Sequence, residues 1–282
     1  MTDVTNRTII AHGHIFKNAG TTFDWSLQRN FGQAFIDHPD NEDMRRGASG
    51  YLSEFIDSNP ELRAFASHHL YWCMPLPQRP SLNLIPCFLL RHPIERVRSV
   101  YTFERHQKSD TPGAVHAKKL NFRDYVEWRM GHKGGGVIMN YQIKYCSGRK
   151  GLEVNDELIQ ETAEKISSAG LAGIVDRYDE SMVYFEESLR GHFPQIDLSY
   201  VRQNASKKRW FRGRTPPTRE GEIQRVLKEL GSVANALQEN NKADLALYKL
   251  VNTALDTHIS KIDGFSEKLQ NFRLRCSKLN GN

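Results

Sequence analysis

The stretch Thr8-Ile-Ile-Ala-His-Gly-His-Ile15 runs straight into Phe16-Lys-Asn-Ala-Gly-Thr-Thr22, and Phe23, Trp25, Leu27 and Phe31 follow at spacing suited to a helix. A β-branched run, a loop of small residues and an apolar stripe read as strand, tight turn and helix. The alternation continues. Residues 62–67 suit a second short strand, and 82–90 form a nearly continuous apolar run of the kind buried on both faces of a parallel sheet. Pro86 inside that run predicts a bulge, or a strand that starts only at Cys87.

His92-Pro93 then opens a helix, with Pro93 fitting the first helical position and Ile94, Val97 and Tyr101 at helical spacing. Further helices are expected at 122–130, 137–146, 157–168 and 179–190, with a short strand at 171–175 between the last two. Ile223, Val226, Leu227 and Leu230 mark one later amphipathic helix, and Leu245, Tyr248, Val251 and Leu255 another. The expected class is α/β, a parallel sheet flanked by helices with a helical C-terminal third. Residues 107–117, 131–136 and 202–218 read as loops.

Composition narrows the function classes. Of 282 residues, 39% are hydrophobic and 26% charged, which suits a globular chain and neither a disordered tail nor a membrane bundle. The longest apolar run, Leu84 to Leu90, is far short of the ~20 residues that span a bilayer. The first residues lack a secretory pattern, so a cytoplasmic protein without a membrane span is expected. Cys73, Cys87, Cys146 and Cys276 form no CxxC pair and read as ordinary thiols. The net charge of +6 favours an anionic ligand but is modest for a dedicated nucleic-acid binder.

Two constellations carry chemistry. Lys17-Asn-Ala-Gly-Thr-Thr22 between a strand and a helix sets successive N–H groups, a cation and two hydroxyls at a helix N-terminus, an anion cradle. It is not the Walker pattern, because the lysine precedes the glycine. Arg91 leaves the carboxyl end of the apolar strand, where open α/β sheets bind ligands, and Ser99 lies about two turns into the next helix. A guanidinium and a hydroxyl there suit a phosphate. His12 and His14 alternate on the first strand without a third metal ligand in sequence, and read as sheet residues. Between Arg202 and Arg214 six basic residues surround Trp210 and Phe211, which reads as a solvated loop or as a flap over a polyanion.

The string His14-Ile-Phe-Lys17-Asn-Ala-Gly-Thr-Thr-Phe23 resembles the 5′-phosphosulfate loop of sulfotransferases that use 3′-phosphoadenosine 5′-phosphosulfate (PAPS). Phe88-Leu-Leu-Arg91-His-Pro-Ile-Glu-Arg96-Val-Arg-Ser99-Val-Tyr101 resembles their 3′-phosphate motif, in the family's order. In pattern the chain is most similar to carbohydrate sulfotransferases, especially uronosyl 2-O-type enzymes and their bacterial counterparts. Weaker likenesses lie at 140–148, 173–181 and 201–207. The resemblance departs at Phe16, where proline is usual, at His92, where aspartate or asparagine is usual, and at His68, where glycine commonly precedes the active-site histidine.

The resemblance implies a P-loop NTPase-like sheet and one sulfotransferase-like domain over 1–282, its nucleotide-binding core at about 8–210 and C-terminal helices at about 219–282. It implies transfer of a sulfuryl group from PAPS, with no metal, to a hydroxyl-bearing acceptor, in pattern a saccharide or glycoconjugate. His69, in Ala66-Ser-His68-His69-Leu-Tyr-Trp72, aligns with the histidine that deprotonates the acceptor, and His68 is the alternative base. Lys17 would neutralise the bridging oxygen. Asn18, Ala19, Gly20, Thr21 and Thr22 would cradle the 5′-phosphate, Arg91 and Ser99 would hold the 3′-phosphate, and Lys207 would close over the nucleotide. Two rivals remain: a kinase-like phosphotransferase on the same sheet, and a nucleic-acid-binding protein using 202–214.

Overall fold

A computed structural model describes residues 7–37, 42–148, 154–201, 203 and 219–281. The chain opens with β1 (Arg7–Gly13), α1 (Gly20–Phe31), β2 (Phe35–Asp37), α2 (Glu42–Asp57), β3 (Ala64–Ser67) and β4 (Leu82–Leu90). Next come α3 (Pro93–His106), α4 (Pro112–Lys119), α5 (Phe122–Gly131), α6 (Tyr141–Ser147), α7 (Asp156–Ser168), β5 (Leu171–Ile174) and α8 (Tyr178–Leu189). The last helices are α9 (Arg219–Leu230), α10 (Ala234–Glu239), α11 (Lys242–Ile259) and α12 (Phe265–Leu279). The five strands form an all-parallel sheet in the order β2-β3-β1-β4-β5. This is the expected α/β class.

Central strand β1 is buried from Thr8 to Gly13 because both of its faces are covered, with Ile9, Ile10 and Ala11 supplying its apolar stretch. The chain leaves β1 toward β2 and β3 on one side and returns as β4 on the other. The carboxyl ends of β1 and β4 therefore flank the switch point at which such sheets bind ligands. Register sets what meets there. Gly13 pairs with Ser67 and with Phe88, so the residues just beyond them, from three separate stretches of sequence, come level at one edge. Gly13 has to be glycine, because a Cβ there would fall 1.8 Å from the Phe88 ring.

Several details differ from the sequence reading. Pro86 neither bulges nor delays β4, which runs unbroken from Leu82. Pairing with β5 starts at Cys87 and Leu171, so the missing donor falls where β4 has only β1 beside it. The expected loop at 107–117 contains α4, because Thr111 accepts the Ala114 N–H as an N-cap and Pro112 takes the first helical position. The helix expected at 137–146 starts at Tyr141, after a 3-10 turn and a left-handed Asn140. Neither α2 nor the three-residue β2 is anticipated.

The cysteines Cys87 and Cys146 are buried, and burial pushes both thiols up. Trp72 is buried and donates its indole N–H to the Lys165 carbonyl, while Trp128 stacks on His116. Both fit core and rim roles. Among the described residues no helix is long and apolar enough to cross a membrane.

One buried carboxylate ties the helical C-terminal part to the sheet edge. Asp244, at the start of α11, accepts the Gln142 and Ile143 N–H groups at 3.0 and 2.8 Å and so caps α6. Replacing Asp244 with alanine leaves those two buried donors unpaired. A loss of about 2 kcal/mol of stability is expected in urea denaturation, with Asp244→Asn, which keeps one acceptor, losing less.

Candidate functional site

The loop between β1 and α1 is strained at two non-glycine residues. Lys17 has φ 66° and Ala19 φ 60°, both left-handed, at a cost of about 1–2 kcal/mol each. Three side chains hold it there. Asn18, 1% exposed, turns inward and donates from Nδ2 to the Leu89 carbonyl and to Gln142 Oε1, each at 2.7 Å. Arg91 Nη1 reaches the Lys17 carbonyl at 3.4 Å, and Arg96 Nε reaches the Phe16 carbonyl at 3.2 Å. Gln142 completes the arrangement, accepting the Arg91 N–H and donating to the Arg91 carbonyl, both at 2.9 Å.

What this leaves open is a row of donors. Among the described residues no acceptor takes the N–H of Ala19, Gly20 or Thr21, at the N-terminus of a 12-residue helix. Thr21 is exposed, while Gly20 and Thr22 are buried. The Gln203 N–H lies 3.4 Å from Thr22 Oγ1, so the chain returns to the cradle at the start of the basic stretch. Arg202 and residues 204–214, Lys207 among them, lie outside the described residues.

Three cations gather at the cradle. The half-buried Lys17 ammonium stands 4.4 Å from the centre of the Phe103 ring, and Phe16 meets Phe103 edge-on at 5.3 Å. Burial lowers the Lys17 pKa, and the charges of Arg91 and Arg96 lower it further. Arg96 is fully buried, donates to Val137 as well, and lies 4.0 Å from the Tyr141 ring centre. Burial brings its pKa down to about 10. Arg91 keeps a buried Nε without a partner among the described residues, and Ser99 sits half-buried on α3. On the far side of Arg91, Asp176 accepts the His92 N–H and the Tyr248 hydroxyl. Burial, then Asp176, pushes Glu95 up to about 8.

Beside the cradle lies a set of histidines. His12 Nδ1 is 2.6 Å from Asp24 Oδ1, a buried hydrogen bond. His14 Nδ1 is 2.8 Å from Asp24 Oδ2, off the line of a hydrogen bond. Burial would raise the Asp24 pKa, but His12 and then His14 outweigh it and hold the carboxylate well below its usual range. The third metal-capable group that sequence does not supply for His12 and His14 is thus Asp24, one helical turn into α1. The three donor atoms lie within 4.8 Å of one another. Here His12 is hydrogen-bonded to Asp24, and His14 meets the same carboxylate as a close charge contact.

His14 in turn packs under the cradle. A Cβ at Gly20 would fall 2.2 Å from its ring, so only glycine fits above it. His68 lies against the other side, ring centres 4.3 Å apart, with Nδ1 2.7 Å from the His14 carbonyl. His69 is half-buried, and its backbone N–H is held by Ser67 Oγ at 3.0 Å. A cavity of about 220 Å³ opens a few residues farther on, between Tyr71, Cys73, Ser147, Gly148, Glu161 and Lys165.

The structure therefore brings Lys17, Gly20, Thr21 and Arg91 to one edge, with His68 and His69 at the end of the adjoining strand. Asn18 serves the interior instead. Gln142, Arg96, His14 and Asp24 are the site residues that sequence reasoning gave no role. Arg96 and His14 lay inside the quoted motifs and Gln142 inside the 140–148 segment, whereas Asp24 carries no local signal.

No family model matches the chain. It is similar to an uncharacterized protein of Archaeoglobus fulgidus, 28% identical over 255 residues that cover 87% of this chain and 96% of that protein.

The Asp24 contacts have a pH consequence. A carboxylate held below its usual value of 3.8 contributes stability that is complete above that value and is lost as pH falls toward its folded-state pKa. Urea denaturation measured from about pH 5 down to pH 2 should show a steep acid limb, flatter in Asp24→Asn.

Proposed function

We propose that this protein is a sulfotransferase that moves the sulfuryl group of PAPS to a hydroxyl of an acceptor, on a sheet of the P-loop nucleotide-binding type. The observation that carries the reading is the meeting of two motifs. The cradle after β1 and the arginine after β4, distant in sequence, touch at the switch point through Arg91 and the Lys17 carbonyl. Free N–H groups and three cations suit a ligand with two separated phosphates.

In this scheme the N–H groups of Gly20 and Thr21 and the hydroxyls of Thr21 and Thr22 bind the 5′-phosphate. Arg91 and Ser99 bind the 3′-phosphate, which separates PAPS from mononucleotides. As the acceptor oxygen bonds to sulfur, the bond from sulfur to the bridging oxygen breaks, and its electron pair stays on the 5′-phosphate of the nucleotide product. Lys17 neutralises that oxygen, and a histidine of the His68-His69 pair takes the acceptor proton. Positioning and charge stabilisation supply most of the rate, as in in-line phosphoryl transfer. The cavity past Tyr71 is suited to the acceptor, and its Glu161, Lys165 and Ser147 offer hydrogen bonds to a hydroxylated molecule such as a saccharide. Lys207 would close over the nucleotide from the basic stretch.

The test is calorimetric titration with 3′-phosphoadenosine 5′-phosphate, with AMP, and with the Arg91→Ala variant. The expected outcome is binding that weakens at least ~10-fold when either the 3′-phosphate or the Arg91 guanidinium is removed, the scale of one charge-assisted pair. Equal binding of AMP would overturn the donor assignment and favour the kinase-like reading.

A further inference from the structure

We infer that His68, not the motif-aligned His69, is the base that takes the acceptor proton, and that its reacting atom is Nε2. The inference rests on the sulfuryl-transfer reading and adds to it which imidazole acts and in which tautomer.

The argument starts from one hydrogen bond. The partner of His68 Nδ1 is the His14 carbonyl, 2.7 Å away, and a carbonyl only accepts. Nδ1 therefore carries the proton. In the neutral ring the lone pair is then on Nε2, and among the described residues nothing hydrogen-bonds that atom. This is the arrangement a general base needs: one nitrogen tethered to backbone, the other open. The ring is also fixed in orientation, since it lies against His14, which is clamped between Asp24 and Gly20.

The surroundings suit the two charge states in turn. Burial and the neighbouring His14 lower the His68 pKa, which keeps the ring neutral and able to accept a proton at pH 7. Opposing them are the His14 carbonyl, Asp24 on α1 and Asp37 at the end of β2, the groups that stabilise the imidazolium once the proton has arrived. In the transfer step the acceptor O–H bond breaks, its proton goes to Nε2, and its electron pair forms the new bond to sulfur. The bond from sulfur to the 5′-phosphate breaks at the same time.

Position supports the assignment as well. His14 lies directly beneath Gly20 at the cradle, and the His68 ring packs against His14, tilted by 44° with ring centres 4.3 Å apart. The base is thus in ring contact with the residue that underlies the cradle.

The experiment uses the full chain and two variants, His68→Asn and His69→Gln. Asparagine retains a donor for the His14 carbonyl while deleting Nε2. Diethyl pyrocarbonate labelling mapped by mass spectrometry, on protein alone, should modify His68 at Nε2. Its pH midpoint should lie below the ordinary histidine value near 6.5. Release of 3′-phosphoadenosine 5′-phosphate from PAPS, with water as the acceptor, should fall at least ~100-fold in His68→Asn and only a few-fold in His69→Gln. Binding of the desulfated nucleotide should be unchanged in both. His68 unreactive at neutral pH, or the larger rate loss in His69→Gln, would overturn the assignment while leaving the donor site standing. Failure of the nucleotide to bind any of the three proteins would instead overturn the sulfuryl-transfer reading.

Discussion

The site depends on a single buried amide. Gln142 accepts from Asn18 Nδ2 and from the Arg91 N–H through its oxygen, and donates to the Arg91 carbonyl through its nitrogen. Both donors on the oxygen are N–H groups, so the orientation of the amide is determined by its partners. One side chain from α6 thereby joins the cradle after β1 to the arginine after β4. Its own position is set by Asp244, which caps α6 from α11. A chain of buried, hydrogen-bonded polar groups thus runs from the C-terminal helices to the loops after β1 and β4, and in low dielectric each link is costly to break.

That rigidity explains how the chain keeps a strained loop and a crowd of positive charge. Left-handed Lys17 and Ala19 persist because Asn18, Arg91 and Arg96 hold the intervening backbone from three directions. Lys17, Arg91 and Arg96 repel one another, and the depressed pKa of Lys17 registers the cost. Aromatic faces at Phe103 and Tyr141, rather than carboxylates, lie against two of these cations. Arg96 is fully buried and also feels the charge of Asp244, whereas the half-buried Lys17 is the cation of the pair left facing the cradle. The carboxylates of this edge are placed differently: Asp24 is given over to His12 and His14, and Glu95 is pushed toward its neutral form.

Much of the fold was legible because strands and helices here carry strong, separate periods. The presence of β4 and the start of α3 were readable from a nearly continuous apolar run and from Pro93 at the first helical position, whereas Pro86 obscured where β4 begins. The exit from β1 was readable from its small residues. α4 was missed because Pro112-Gly113 reads as a turn, and the same proline after a capping threonine starts a helix. Of the candidate site, the placement of Lys17, Gly20, Thr21 and Arg91 at one edge was legible because it rests on local features, a turn and a strand end. Asn18 was misjudged for a physical reason: its neighbours face outward, but its amide finds Leu89 and Gln142, residues no local window contains.

By itself the sequence determined the alternation of strand and helix, the phosphate-suited loop and the arginine at the end of a buried strand, since these follow from residue type and spacing within short windows. Only the tertiary structure decided which groups share the edge. Parallel pairing of β1 with both β3 and β4 brings His14, His68 and Arg91 together. The helix after β1 adds Asp24 beneath them, and α6 adds Gln142 across the loop. These contacts join residues tens of positions apart, and the tautomer of His68 depends on one of them. Such choices belong to register and packing, which no local pattern encodes.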